Sequence, residues 1–392
     1  MRLKKIKVSI IEPVGGHGGL EFYDLGLCES IVSQGIEVTF YTCEKTKLQE
    51  KYDHKYRVLH TFKGVFGREN KIIRGLRYLK GTLISLIDSR KCNSSIAHFH
   101  LFHFSLLEYF NLFVFRMFKF GIVATIHDVE SLDKFHKKIT GKKYKKFAKI
   151  IDQIIVHNSF TRSELLEKVP LFNESKIHIV PPTDLDFIYN KEVSRLKARE
   201  ILNLNIPENS NVVLFFGQIK KTKGLDILVK AFAKLKKRDT YLLIVGRAWK
   251  TDLNYYHDLI EELNISDRTI LNLKYIGNKE VMLYFKASDV VVLPYLKVYN
   301  SSVLLRAMDY GSIPVVSDLN VFKEIITDGF NGFIFKKGCY DDLSSVLSKV
   351  LSNDMMRERI EIDSMKYVKD HYSFDVIGEK LGKIYEIVLD ER

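Results

Sequence analysis

Several short stretches of this sequence carry groups whose spacing suits ligand chemistry. "EPVGGHGGLEF" (12–22) sets Gly15, Gly16, Gly18 and Gly19 around one histidine, ahead of a helical pattern. Glycines there let backbone amides approach a ligand, and a helix start behind them favours an anion. The loop is neither a Walker loop nor a clean G-x-G-x-x-G turn. "FFGQIKKTKGLDIL" (215–228) crowds Lys220, Lys221 and Lys223 ahead of Gly224 and a helix. Cations plus helix amides make a diphosphate site, although solvated loop lysines give the same pattern. His127 closes "ATIHD" beside Asp128 at an expected strand tip. Glu324, in "FKEIITDGFNGFIF" (322–335), suits hydrogen bonds from sugar hydroxyls or plain surface exposure. His98, His100 and His103 alternate, but no cysteine or carboxylate stands at ligand spacing, so no metal is expected.

The elements that must position these groups follow from periodicity. Short β-branched runs alternate with longer helical patterns: 5–11, 94–100, 121–128, 153–159 and 176–182 read as buried strands in the first half. The pattern resets after 194–211 and repeats at 212–219, 240–246, 271–277, 289–295, 313–318 and 332–335. This predicts an α/β chain with two Rossmann-like doubly wound domains and a cleft between them. The expected bounds are 1–190, a linker at 191–211, a second domain at 212–375, and a C-terminal helix at 376–392 packing back on the first domain.

At 392 residues, 46% apolar and 28% charged, the chain has ordinary globular composition. A formal charge of +13 favours anionic partners. No recognised nucleic-acid module appears, and no nucleic-acid partner is expected. Cys28, Cys43, Cys92 and Cys339 form no C-x-x-C pair, which suits a reducing compartment. The apolar run at the N-terminus ends at Glu12 and is too short for a signal peptide. The most apolar window, 101–118, contains His103, Glu108 and Arg116 and is a poor membrane span, though an aromatic helix there suits an interface. The segment 133–151 places eight lysines among Phe135, Ile139, Tyr144 and Phe147. Such a basic amphipathic helix suits an anionic membrane surface, or equally a solvated face.

Taken together the chain resembles the retaining GT-B glycosyltransferases of the group-1 (family 4-like) type. The resemblance rests on the glycine loop, "IHD", "DQIIVHNSFTRSEL", "KIHIVPPTDLD", "FFGQIKKTKGLDILVKAF", "LLIVG", "ASDVVVLPY", "LLRAMDYGSIPVVSD" and "EIITDGFNGFIF", in that order. It implies a nucleotide-sugar donor in the second domain and a glycan or lipid-linked acceptor in the first. The expected setting is cytoplasmic, peripheral on the inner membrane face, in polysaccharide or glycolipid synthesis. It carries the diphosphate-binding lysine onto Lys223, the second basic residue onto Lys220, the donor-sugar histidine onto His127 and a glutamate onto Glu324. Donor contacts fall on Gly16, Gly18, Gly19 and Gly217, on Ser301, Ser302 and the amides of Val303 and Leu304, and on Arg306. The family's arginine after the strand glycine is Gln218 here. Its paired glutamates are Val298 and Arg306, and an arginine cannot accept the ribose hydrogen bonds. That departure keeps a catalytically silent GT-B-like subunit, binding a partner or glycan, as the alternative.

Overall fold

The computed structural model describes residues 6–16, 20–46, 54–67, 69–102, 104–127, 141–182, 192–236, 239–249 and 251–392. Two compact units divide the chain: Met1–Asp184 with His371–Arg392, and Leu185–Asp370.

In the first unit the strands are β1 (Lys7–Glu12), β2 (Glu37–Thr42), β3 (Arg57–His60), β4 (Ile96–Leu101), β5 (Gly121–Ile126), β6 (Gln153–Val156) and β7 (Ile177–Ile179). Its helices are α1 (Leu20–Ser33), α2 (Lys71–Lys91), α3 (Leu106–Met117), α4 (Gly141–Ile150) and α5 (Ser159–Lys168). The second unit has α6 (Arg195–Ile201), β8 (Asn211–Phe216), α7 (Leu225–Ala233), β9 (Thr240–Val245), α8 (Asn254–Glu262), β10 (Thr269–Asn272), α9 (Asn278–Lys286), β11 (Val290–Leu293) and α10 (Ser302–Asp309). It continues with β12 (Ile313–Ser317), α11 (Asn320–Lys323), β13 (Phe333–Phe335), α12 (Tyr340–Leu351) and α13 (Asp354–Tyr372), after which α14 (Phe374–Asp390) belongs to the first unit.

The sheet orders are β3-β2-β1-β4-β5-β6-β7 and β10-β9-β8-β11-β12-β13, with every pairing parallel. Both follow the order third-second-first-fourth, so each reverses direction beside its first strand, between β1 and β4 or between β8 and β11. Central strands such as β5 (GIVATI) and β11 (VVVL) are buried throughout, as expected for sheets covered on both faces. Residues 271–277 were expected as one strand. Pairing with β9 covers only 269–272, and Tyr275 beyond it is 64% exposed.

Residues 191–211 were expected as a linker, and here the structure differs. α6 is anchored by Arg199, which is buried and donates to Ala287 O (2.9 Å), Ser210 O (3.0 Å) and Asp289 Oδ2 (3.1 Å). The described part of that stretch is therefore built into the second unit. At the other end α14 packs along α1, and Gly378 makes this approach feasible because a Cβ would collide with Ser30 O. Ile377, Leu381, Ile384, Tyr385 and Val388 of α14 complete the core around β1, β2 and α1.

Candidate functional site

In the second unit the expected diphosphate groups gather where β8 and β11 diverge, the crevice at which doubly wound sheets bind ligands. Gly217 ends β8 with φ +115, and the loop beyond it is zipped to the one after β9: Ile219 N donates to Arg247 O (3.0 Å) and Trp249 N to Ile219 O (3.0 Å). Gly246 must be glycine, since a Cβ would strike Gly217 O. Gly224, in the left-handed region at φ +65, lets the 221–224 turn lie against Pro294, whose carbonyl a Cβ would meet. Leu296 N donates to Thr222 O (2.9 Å) and holds this turn to the end of β11.

This turn aims Lys223 over the ring of Tyr295, with the ammonium 3.5 Å from its centroid. Burial, with the like charge of Lys220, pushes the Lys223 amine down to about 7. Lys220 reaches toward Trp249, 6.0 Å from the ring centroid, and that indole is 46% exposed. Tyr295 is held by Ser317 Oγ donating to its carbonyl (2.7 Å) and by Phe322 packing 5.6 Å from its ring. Val303, at the start of α10, faces Gly217.

Two expectations for this unit change. Ser301 caps α10 by accepting from Leu304 N (3.4 Å), so the Leu304 amide serves the helix itself. Arg306 is buried at 8% exposure on α10 and is no open donor contact. Glu324 is exposed at the C-terminal cap of α11, two residues beyond Phe322. Val298, standing where the family pattern has a glutamate, is half-buried. Sequence reasoning missed Tyr295 and Trp249, which stand far along the chain from Lys223 and Lys220, so no local signal joined them.

In the first unit Gly16 has φ +77, and a Cβ on Gly15 or Gly16 would strike the 42–46 segment. These two glycines therefore serve packing against Thr42, Lys45 and Thr46, while Gly18 and Gly19 lie outside the described residues. Behind the loop is a buried polar cluster. His100 Nδ1 stands 3.0 Å from Glu12 Oε2 and 3.2 Å from Asp24 Oδ1. Burial opposes charge on His100, but bonds and charges from Asp24 and Glu12 outweigh it and lift the ring to about 9. His98 is held between Tyr385 Oη and Thr125 Oγ1, each at 2.7 Å.

The tautomer of His127 follows from its neighbours. Val180 O can only accept, so His157 Nδ1 carries the proton in their 3.0 Å bond. His157 Nε2 is then the acceptor, and His127 Nδ1 donates to it at 3.3 Å. Both rings are neutral, because burial pushes His157 down to about 4 and His127 well below the usual imidazole range. His127 Nε2 thus presents a lone pair, with no hydrogen-bond partner among the described residues. Phe102 stacks on one face of the ring (4.8 Å) and Tyr23 meets it edge-on (4.7 Å).

Glu12, His100 and His127 each bring a ligand atom within 4.8 Å of the others. Of His98, His100 and His103, which have no carboxylate at ligand spacing in the sequence, His100 meets Glu12 in space because β1 and β4 are neighbours in the sheet, and His103 lies outside the described residues. A cavity of about 460 Å³ lies elsewhere, at the amino ends of β1, β2 and β3, lined by Lys7, Glu37, His54 and Arg57. Of the expected basic segment, 133–140 lies outside the described residues and 141–150 forms α4. Among the described residues no helix is long and apolar enough to cross a membrane.

Comparison with known proteins gives two family matches. The family described as "Glycosyltransferase Family 4" matches residues 17–183, and "Glycosyl transferases group 1" matches 197–366. A D-inositol 3-phosphate glycosyltransferase of Corynebacterium aurimucosum is 23% identical over 95% of this chain and 91% of its own. An uncharacterised glycosyltransferase of Methanocaldococcus jannaschii is 28% identical over 48% of each chain. The fold matches sucrose-phosphate synthase from Thermosynechococcus elongatus, with TM-score 0.76 and 18% identity over 99% of this chain and 100% of that one. Anabaena HepE in complex with UDP and glucose matches with TM-score 0.74 and 15% identity over 97% and 99%.

Proposed function

Because the chain belongs to the group-1 glycosyltransferases of the GT-B type, we propose that it moves a sugar from a nucleoside-diphosphate donor to a hydroxyl of a glycan or lipid-linked acceptor, with retained configuration. The setting this implies is cell-surface polysaccharide or glycolipid synthesis. One observation carries the reading: the Lys223 ammonium lies over Tyr295, beside Lys220, at the crevice where β8 and β11 part. The relatives' names, and the UDP in the HepE structure, support a nucleotide-sugar donor.

In this mechanism the acceptor oxygen attacks the anomeric carbon on the face the diphosphate leaves. The bond from C1 to the phosphate oxygen breaks, its electron pair goes with the nucleoside diphosphate, and the acceptor proton passes to a leaving phosphate oxygen. Lys220, Lys223 and the first amides of α10 stabilise the departing charge, so no metal is required. The family resemblance assigns sugar-hydroxyl contacts to one group in each unit taken by itself, the Nε2 lone pair of His127 in the first and the exposed carboxylate of Glu324 in the second. Lys223 is only partly protonated in the free protein above pH 7, so a bound diphosphate draws a proton onto it.

The test is calorimetric titration with UDP, GDP and ADP in two buffers of different ionisation enthalpy. One nucleotide binds, with proton uptake that grows as pH rises above 7. Lys223→Ala lowers kcat about 100- to 1,000-fold, the usual loss for a preorganised charge-stabilising donor, while the fold is kept. Binding of none of the three nucleotides would instead favour the silent subunit that Val298 and Arg306 suggest.

A further inference from the structure

Helix α2 is built inside out. Its residues 72, 73, 76, 80, 83, 84, 87 and 91 share one face at the helical period, and that face is the exposed one. It presents Ile72 (72% exposed), Ile73, Leu76 (62%), Leu83, Ile84 and Ile87 (56%), interrupted by Lys80 and ending at Lys91. The buried face is mostly small and polar, carrying Gly81, Thr82, Ser85 and Ser89 beside Leu86. Gly81 fits against Phe62 and Thr61 O, Ser85 Oγ bonds Thr61 Oγ1 (2.8 Å), and Ser89 Oγ accepts from Ser9 (2.8 Å). The helix is thus seated on its sheet by polar contacts and turns its isoleucines outward.

The neighbouring α3 extends this surface. Leu106 (79%), Phe113, Met117 (65%) and Phe118 are exposed, Asn111 Nδ2 donates to Tyr78 Oη of α2 (3.3 Å), and Arg90 of α2 lies 5.3 Å from the Phe118 ring. Next to α3, α4 packs Phe147 on Phe104 and Tyr109 and exposes Lys145, Lys146 and Lys149. Lys71, Lys80, Arg90, Lys91 and Lys119 add exposed cations around the apolar stripe. The carboxylates of α2 and α3 are engaged internally, Asp88 by Tyr41 and Arg57 and Glu108 by the Ser105 amide.

We infer that the α2–α3 face docks on an anionic lipid surface, its isoleucines and aromatics entering the headgroup boundary while the surrounding lysines and arginines meet lipid phosphates. Contiguous exposed apolar surface with a basic rim suits that occupant. A second copy of the chain suits it poorly, since a two-fold contact would set the same unpaired cations against one another. The inference extends the lipid-linked acceptor reading, and the two fail separately, because nucleotide titration does not involve α2.

The experiment is sedimentation of the full chain with phosphatidylglycerol-containing vesicles or with pure phosphatidylcholine vesicles, alongside size-exclusion chromatography. The wild-type chain sediments with the anionic vesicles, and about 0.5 M salt weakens binding without abolishing it, because only the charge part is screened. Leu76→Asp/Leu83→Asp/Ile87→Asp lowers partitioning about tenfold or more, and Lys80→Glu/Lys91→Glu lowers it at low salt only. Unchanged thermal unfolding certifies the fold of each variant. Wild-type protein left in the supernatant, apolar variants that sediment like wild type, or a wild-type dimer that these variants dissociate would each overturn the inference.

Discussion

His127 shows how a neighbour on the adjoining strand-end decides what a ring can do. Free histidine offers either nitrogen as donor; here Val180 O and His157 leave His127 with a lone pair at Nε2. His157→Phe removes the acceptor for Nδ1–H and frees the ring to take the other tautomer. Transfer efficiency, kcat/KM, then falls about tenfold, the scale on which outer partners tune a functional histidine, while His157→Gln, which keeps an acceptor, recovers most of it. Equal kcat/KM in the Phe variant with an unaltered melting temperature would remove His157 from this role. His127 was legible in the sequence as a strand-tip histidine. Its tautomer was not, because His157 is supplied by the next strand-end of the sheet.

At the scale of elements, tight turns carry the reacting groups. Gly224 combines φ +65 with a Cβ position blocked by Pro294 O, so the turn bearing Lys223 tolerates no side chain there. Gly224→Ala costs about 1–3 kcal/mol of stability through overpacking and backbone strain, and it weakens nucleotide binding by moving Lys223. Gly35→Ala is the control, with φ +73 but open space around its Cβ, and it costs at most about 1 kcal/mol. Thermal unfolding and nucleotide titration of the two variants separate strain from displacement, and equal nucleotide affinity in both would detach Gly224 from the site. Most strands were legible from their apolar runs. β3 and α2 were not singled out, since "RVLH" is short and partly exposed and α2 points its apolar face away from the core.

For the whole molecule, the chain returns to its first unit after completing the second. Ile377, Leu381, Ile384, Tyr385 and Val388 close the first core, and Tyr385 Oη also holds His98. At roughly 1.5–3 kcal/mol for each large apolar side chain buried, their loss rivals the margin of about 5–15 kcal/mol by which domains are stable. Deleting 371–392 therefore unfolds the first unit and leaves the second cooperative. Scanning calorimetry reads this as loss of one transition; a truncated chain that keeps both would show that α14 is dispensable.

The sequence by itself determined the alternating strands and helices, the reset into two sheets, and the glycine and lysine turns, because periodicity and turn chemistry act over a few residues. Tertiary structure alone decided that Glu12 and Asp24 flank His100, that Tyr295 underlies Lys223, that α6 belongs to the second unit and that α2 faces outward. Those relations join residues far apart in the chain. They depend on strand order and on which helix face meets the sheet, and no local pattern encodes either.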